Sequence, residues 1–200
     1  MNTKRTNTNG SCQLEVGQRF HYQGKNGVTY FSLEVEQASD GSVFPKTVTA
    51  PACNALPVEC DGDGKIIAVY LLLQEGRPEA GDGNPALKAT GSFCGVSESG
   101  QACAIRSLRD KLAIVARQED LIYTGESYGF GFQFRFPIEL FIVKEFGFSG
   151  APLSVGCTRV RYSLEDVANA QAQRKFFNSE TIDLIATVLL RNEYRSMYTW

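Results

Sequence analysis

The sequence predicts an α/β (α+β) layered domain, and three observations predict it. Runs rich in Val, Ile, Phe, Tyr and Thr, bounded by Gly-rich turns, recur before residue 74. One segment of helical period follows at 100–112, and further alternating runs then lead to two segments with helical starts. The order is strands, helix, strands, helix, helix, with no internal repeat. The chain has 200 residues, 43% hydrophobic and 21% charged, which suits a folded domain with a small appendage and excludes disorder as the main state. The 20 basic and 22 acidic side chains leave a net charge of -2, so no global field draws in nucleic acid or an anionic membrane.

Residues 1–17, rich in Asn, Thr and Gly, read as a flexible tail with no apolar leader segment. Residues 18–50 read as a small antiparallel β subdomain. Its strands Arg19–Gln23, Val28–Gln37 and Ser42–Thr49 are separated by turn signals at Gly24–Gly27 and Asp40–Gly41. The main domain is expected over 51–193 and a short C-terminal tail over 194–200.

Within the main domain, Ala55–Cys60 and Lys65–Leu73 form a hairpin around Asp61-Gly62-Asp63-Gly64. That tetrapeptide superficially resembles a calcium loop, but it lacks the spaced ligands and closing glutamate, so a turn is expected. Ile66–Leu73 is nearly continuous in apolar residues, as in a strand covered on both faces, and is too short to cross a bilayer. A polar loop follows from Gln74 to Ala86. Ser99 is a candidate N-cap for a helix over 100–112, where Ala102, Ile105, Leu108 and Leu112 make one face apolar. Two more strands are expected within 120–146. The closing helices, Ser163–Ala172 and Ser179–Asn192, each open on a serine followed by acids near the positive helix end.

The single histidine, His21, lies in the N-terminal strands, where a structural role is expected, and a His-rich metal site is excluded. Six cysteines (Cys12, Cys53, Cys60, Cys94, Cys103, Cys157) show no C-x-x-C spacing. Reduced thiols in a cytoplasmic setting are the simplest reading.

The segment from Gly91 to Ile114 resembles the Nudix hydrolases, and within them the ADP-ribose pyrophosphatase-like branch. Their box reads G-x5-E-x7-R-E-U-x-E-E-x-G-U, with U a bulky aliphatic residue. Aligned without gaps, Ser92 takes the first Gly, Glu98 the first Glu and Arg106 the Arg. Ser107 then stands at the next Glu, Leu108 at the aliphatic position, Asp110 and Lys111 at the paired glutamates, Ala113 at the second Gly and Ile114 at the last position. A second register, with Gly95 as the first glycine and Arg109 as the arginine, puts Gln101 at the first Glu and fits less well. The resemblance runs in order through about residues 18–192. It implies a Nudix-like α/β/α sandwich with a mixed sheet, a homodimer built partly by the N-terminal subdomain, and a nucleoside-diphosphate ligand such as ADP-ribose. It also implies Mg²⁺ or Mn²⁺ if the chain is active.

That chemistry needs several hard carboxylate oxygens around the ion, and a helix brings i, i+3 and i+4 to one face. Here those positions are Ser107, Asp110 and Lys111: a hydroxyl, a carboxylate and a cation. By this resemblance Glu98 and Asp110 are the remaining catalytic and metal-binding candidates, and ordinary turnover is expected to be impaired or lost. Arg106 is expected to orient the box carboxylates, the alternative being a solvated helix arginine. In the binding reading that the resemblance implies, Arg106 and Lys111 are the ligand-binding residues that meet phosphate, Lys111 as a point charge. Glu126 or Glu139, on the later strands, are candidates for a further carboxylate.

From Tyr123 to Phe136, aromatic residues alternate with Gly, Gln and Arg135. A packed aromatic core or dimer face is the leading reading of this strand pattern. The functional alternative is a base-stacking surface using an aromatic such as Phe132, with Arg135 near phosphate. Cys94 and Cys103 lie beside the box and are expected to be buried, inert thiols.

Overall fold

The computed structural model describes residues 15–23, 29–49, 51–75, 86–95, 97–131, 134–172, 175–176 and 178–194; at 21–23, 29–33, 44–49, 128–131 and 134–136 it describes the backbone alone. Most of the two expected tails, Cys12, the His21 side chain and most of the 74–86 loop lie outside these. The chain divides into two units, Met1–Thr49 and Ala50–Trp200.

In the first unit, strands β1 (Arg19–Gln23), β2 (Thr29–Gln37) and β3 (Val43–Thr49) form an antiparallel sheet in the order β1-β2-β3. The β2–β3 turn is tied by Asp40, whose Oδ1 accepts from the Ser42 backbone N–H at 2.9 Å and its hydroxyl at 2.6 Å. Pro45, which cannot donate to a ladder, sits on the edge strand.

The second unit begins with the long strands β4 (Ala52–Cys60) and β5 (Ile66–Gln74). Asp61 closes the turn between them by accepting from the N–H groups of Asp63 and Lys65, so the Asp-Gly-Asp-Gly stretch is a hairpin turn. Then come β6 (Ala86–Lys88), β7 (Thr90–Phe93), helix α1 (Gly100–Leu112), β8 (Ile114–Val115), β9 (Leu121–Gly131) and β10 (Phe134–Val143). β11 (Gly147–Phe148), β12 (Cys157–Ser163), α2 (Leu164–Ala172) and α3 (Ser179–Glu193) complete the unit. The main sheet runs β12-β5-β4-β10-β9, with β6 on β5 and β7 on β4. Only the β10–β4 pairing is parallel among these, which makes the sheet mixed.

Alternation along the strands builds two cores, one on each face. Cys53, Ala55, Leu72, Phe141 and Val143 pack against Cys103, Ala104, Leu108 and Leu112 of α1. Ala52, Leu56, Val58, Leu140 and Ile142 pack against Val167 and Ala170 of α2 and Leu184, Ile185 and Val188 of α3. The fold is therefore an α/β/α sandwich with a mixed sheet, as the sequence predicts. Helix α1 starts at the expected cap, Ser99, whose Oγ accepts from the Ala102 N–H at 3.2 Å. For α3 the cap is Asn178, which accepts from the Thr181 N–H, and Ser179 is already helical. β12 is not anticipated by the sequence reading; Arg159 and Arg161 alternate along it, as suits an outermost strand. Among the described residues, no helix is long and apolar enough to cross a membrane.

Candidate functional site

The site begins where β7 ends. The Cys94 N–H donates to the Pro51 carbonyl at 2.8 Å, which fastens the start of the connection to the head of β4. The connection then turns back: the Glu98 N–H donates to the Gly95 carbonyl, and Ser97 takes a positive φ of 63°. This aims the Glu98 side chain at α1. Its Oε1 accepts from Arg106 Nε and its Oε2 from Arg106 Nη2, both at 2.8 Å, while Oε2 also accepts from the Gly95 N–H at 2.6 Å. Arg106 further donates from Nη2 to the Phe93 carbonyl at 3.0 Å. One guanidinium thus joins β7, the connection and the helix, and it is a half-buried clamp rather than a solvated arginine. The Arg106 hydrogen bonds hold the Glu98 carboxyl below its usual range against the opposing effect of burial.

The other box positions do different things. Ser107 is 1% exposed and shares a hydrogen bond with the Thr90 hydroxyl at 3.0 Å, so it faces the core. Asp110 is exposed, and its Oδ1 accepts from Arg109 Nε at 3.0 Å. The Lys111 ammonium donates to the Gly91 carbonyl on β7. Where the resemblance implies a divalent cation, the helix therefore presents a core hydroxyl, one carboxylate already beside an arginine, and a bound ammonium. Glu98 is committed to Arg106. Among the described residues no group of three or more His, Cys, Asp or Glu side chains is arranged to hold a metal ion. The box residues do not fit a divalent ion.

Register across the sheet adds what spacing along the chain does not reveal. Ser92 pairs with Cys53, Cys53 with Glu139, and Glu139 with Glu126, so the four residues form a row across β7, β4, β10 and β9. Glu139 reaches the start of α1, where a methyl group on Gly100 would collide with its carboxylate. α1 has no acidic residue in its own first turn, so this strand carboxylate supplies negative charge at the positive helix end. Burial nevertheless raises its pKa, with the nearby Cys94 and Glu126 charges adding to the effect. The same row brings Cys53 into the buried cluster that also holds Cys94 and Cys103, with residue exposures of 1%, 0% and 0%. Arg106 Nη2 donates to Cys103 Sγ at 3.4 Å, and Cys103 Sγ donates to the Ser92 carbonyl at 3.5 Å. Cys53 escapes sequence reasoning because it lies about forty residues from the box; only its alternation along β4 hints at the α1 face.

Phe132 lies outside the described residues, and Arg135 is placed only as a backbone position of β10 opposite Phe130. Tyr123, at the described end of the aromatic stretch, packs against Phe141 with ring centroids 5.8 Å apart. A separate cavity of about 340 Å³ is lined by Val115, Arg117, Asp120, Glu145 and Phe146 among others, and no box residue lines it.

No protein-family model matches this sequence, and no curated protein matches it. Among solved structures, the crystal structure of an ADP compounds hydrolase is similar, with a TM-score of 0.56 and 13% identity, covering 94% of this chain and 98% of that one. At that identity the likeness is one of fold, and the fold of this chain is Nudix-like.

Proposed function

We propose that this chain is a Nudix-fold protein that binds a nucleoside-diphosphate-type ligand, such as ADP-ribose, with hydrolysis impaired or lost. The observation that carries the reading is Lys111. Its ammonium occupies a box position where the resemblance calls for a carboxylate, and it is tethered to the Gly91 carbonyl beside the Glu98–Arg106 clamp. A cation fixed there repels a divalent ion but attracts a diphosphate, which is the electrostatic preference of a binder rather than of a metal-assisted hydrolase. Arg106 ties the connection and β7 to α1 through Glu98 and Phe93.

A second reading has one observation in its favour. Glu139 and Glu126 are paired across β9 and β10, and Glu139 lies at the start of α1. These two are the carboxylates on which a non-standard, divalent-metal-dependent hydrolase would draw.

Calorimetric titration of ADP-ribose into the protein tests the proposal. Saturable heat that weakens about tenfold in Lys111→Gln, the loss of one charge-assisted contact, is expected. A flat trace overturns the binding reading and leaves a scaffold or protein-interaction role.

A further inference from the structure

Helix α3 carries an apolar side that the function proposed above does not use. Its inward side chains Leu184, Ile185 and Val188 are buried in the core on one face of the sheet. On the outward side, Ile182, Ala186, Leu190 and Tyr194 recur every four residues, the spacing that draws a continuous ridge along a helix. Ile182 is 40% exposed, Leu190 54% and Tyr194 47%. Single exposed apolar side chains are ordinary, whereas three aligned on one ridge mark a contact surface. Helix α2, packed on the same face of the sheet, instead turns Glu165, Asp166 and Asn169 outward. We propose that the α3 ridge is an interface with a second copy of this chain, in which two α3 helices pack antiparallel about a two-fold axis at Ala186.

The occupant follows from the order of residues, because the ridge is complementary to itself when reversed. An axis at Ala186 sets each residue against the one equally far along on the other side. Ile182 then meets Leu190 of the second copy, so an apolar pair lies on either side of the axis. Ala186 meets Ala186, and the small side chain at the crossing lets the helices come close. Ser179, the first residue of α3, meets Glu193, the last. The exposed Glu193 carboxylate therefore lies over the positive N-terminal end of the second helix. The acid of that first turn, Glu180, is 6% exposed and points away from the ridge, which leaves the outward side of the turn to Glu193. Symmetry repeats each contact, as an isologous interface requires. Ridges of four-residue spacing on both helices also suit the commonest class of helix packing.

This contact lies wholly in the second unit, whereas the homodimer that the resemblance implies is built partly by the first. One helix on one helix is at the small end of specific interfaces, so covalent trapping by position suits it better than a mass.

The test is cross-linking of the full chain with a short bismaleimide at micromolar concentration, followed by digestion and peptide mapping. Ala186→Cys puts a thiol at the axis, and Glu165→Cys puts one on the exposed side of α2 as the collision control. The expected result is a link between two thiols at position 186, formed roughly tenfold faster than the link at 165, because docking raises their effective concentration. Adding Leu190→Glu should lower the rate to that of the control with circular dichroism unchanged, since Leu190 is exposed. Adding Ile182→Lys as well should restore the link. Positions 182 and 190 are about 12 Å apart along one helix, so they meet only across the interface. A link at 186 no faster than the control, which is the outcome if a different protein covers the ridge, would overturn the proposal. So would a rate that Leu190→Glu leaves unchanged, or no recovery with Ile182→Lys.

Discussion

Arg106 makes hydrogen bonds to both Glu98 oxygens, and its side chain is only about a third exposed, so the pair is sheltered more than a surface ion pair. Arg106→Ala should cost about 2 kcal/mol in urea unfolding, the scale of hydrogen bonds to a charged group. Because the folded-state pKa of Glu98 is depressed, the stability it contributes is present above its unfolded pKa and is lost as pH falls through the folded one. The gap between wild type and Glu98→Gln should therefore be open at pH 7 and closed in strong acid. Glu139 carries the opposite sign. Its raised pKa makes the ionised form a cost to the folded state that grows as pH rises above the unfolded value. Glu139→Gln should raise Tm at pH 8, on the order of 2 °C, and leave it unchanged at pH 3; a drop at pH 8 contradicts this. The Glu98–Arg106 contact was legible only through the resemblance, which gives the box arginine the task of orienting the box carboxylates. Glu139 could be named only as a candidate, and Cys53 not at all, because cross-strand register rather than chain distance delivers them.

Helix α1 and strand β7 form the element on which the site is built. Ser99→Ala should cost about 1 kcal/mol by removing the acceptor for the Ala102 N–H, measured by thermal unfolding. Gly91, on β7, allows the closest approach in the neighbourhood: a methyl group there would lie 2.6 Å from the Cys53 carbonyl and collide with the Asn54 side chain. Gly91→Ala should cost about 1–3 kcal/mol, as overpacking does, and should disturb the carbonyl that holds Lys111. An unchanged denaturation midpoint would show that β4 and β7 are less tightly apposed. α1 was readable to the residue, because a cap, a run of apolar spacing and two basic residues in the last turn agree. β12 was not, since its half-buried pattern interrupted by arginines resembles a loop until β5 is beside it. The cap of α3 was read one residue late, on Ser179; Asn178 is as good a cap by type, and it is the residue with the extended backbone a cap requires.

At the scale of the molecule, the two cores on either side of one mixed sheet explain how a Nudix-like fold persists at 13% identity. Small and branched side chains on alternating faces suffice to place α1 against one side and α2 and α3 against the other. The scaffold does not by itself fix the function, which resides in the side chains that α1 presents. The dimer that the resemblance implies predicts a light-scattering mass of twice 22.0 kDa; a mass of one chain contradicts it. The most direct test of the central claim, that Lys111 and Ser107 have replaced the metal chemistry of the box, is chromatography of ADP-ribose incubated with the protein and Mg²⁺. The account predicts intact ADP-ribose at a protein concentration that saturates binding. Sustained formation of AMP and ribose phosphate, abolished in Asp110→Asn or Glu139→Gln, would contradict it and establish the carboxylate-based hydrolase instead.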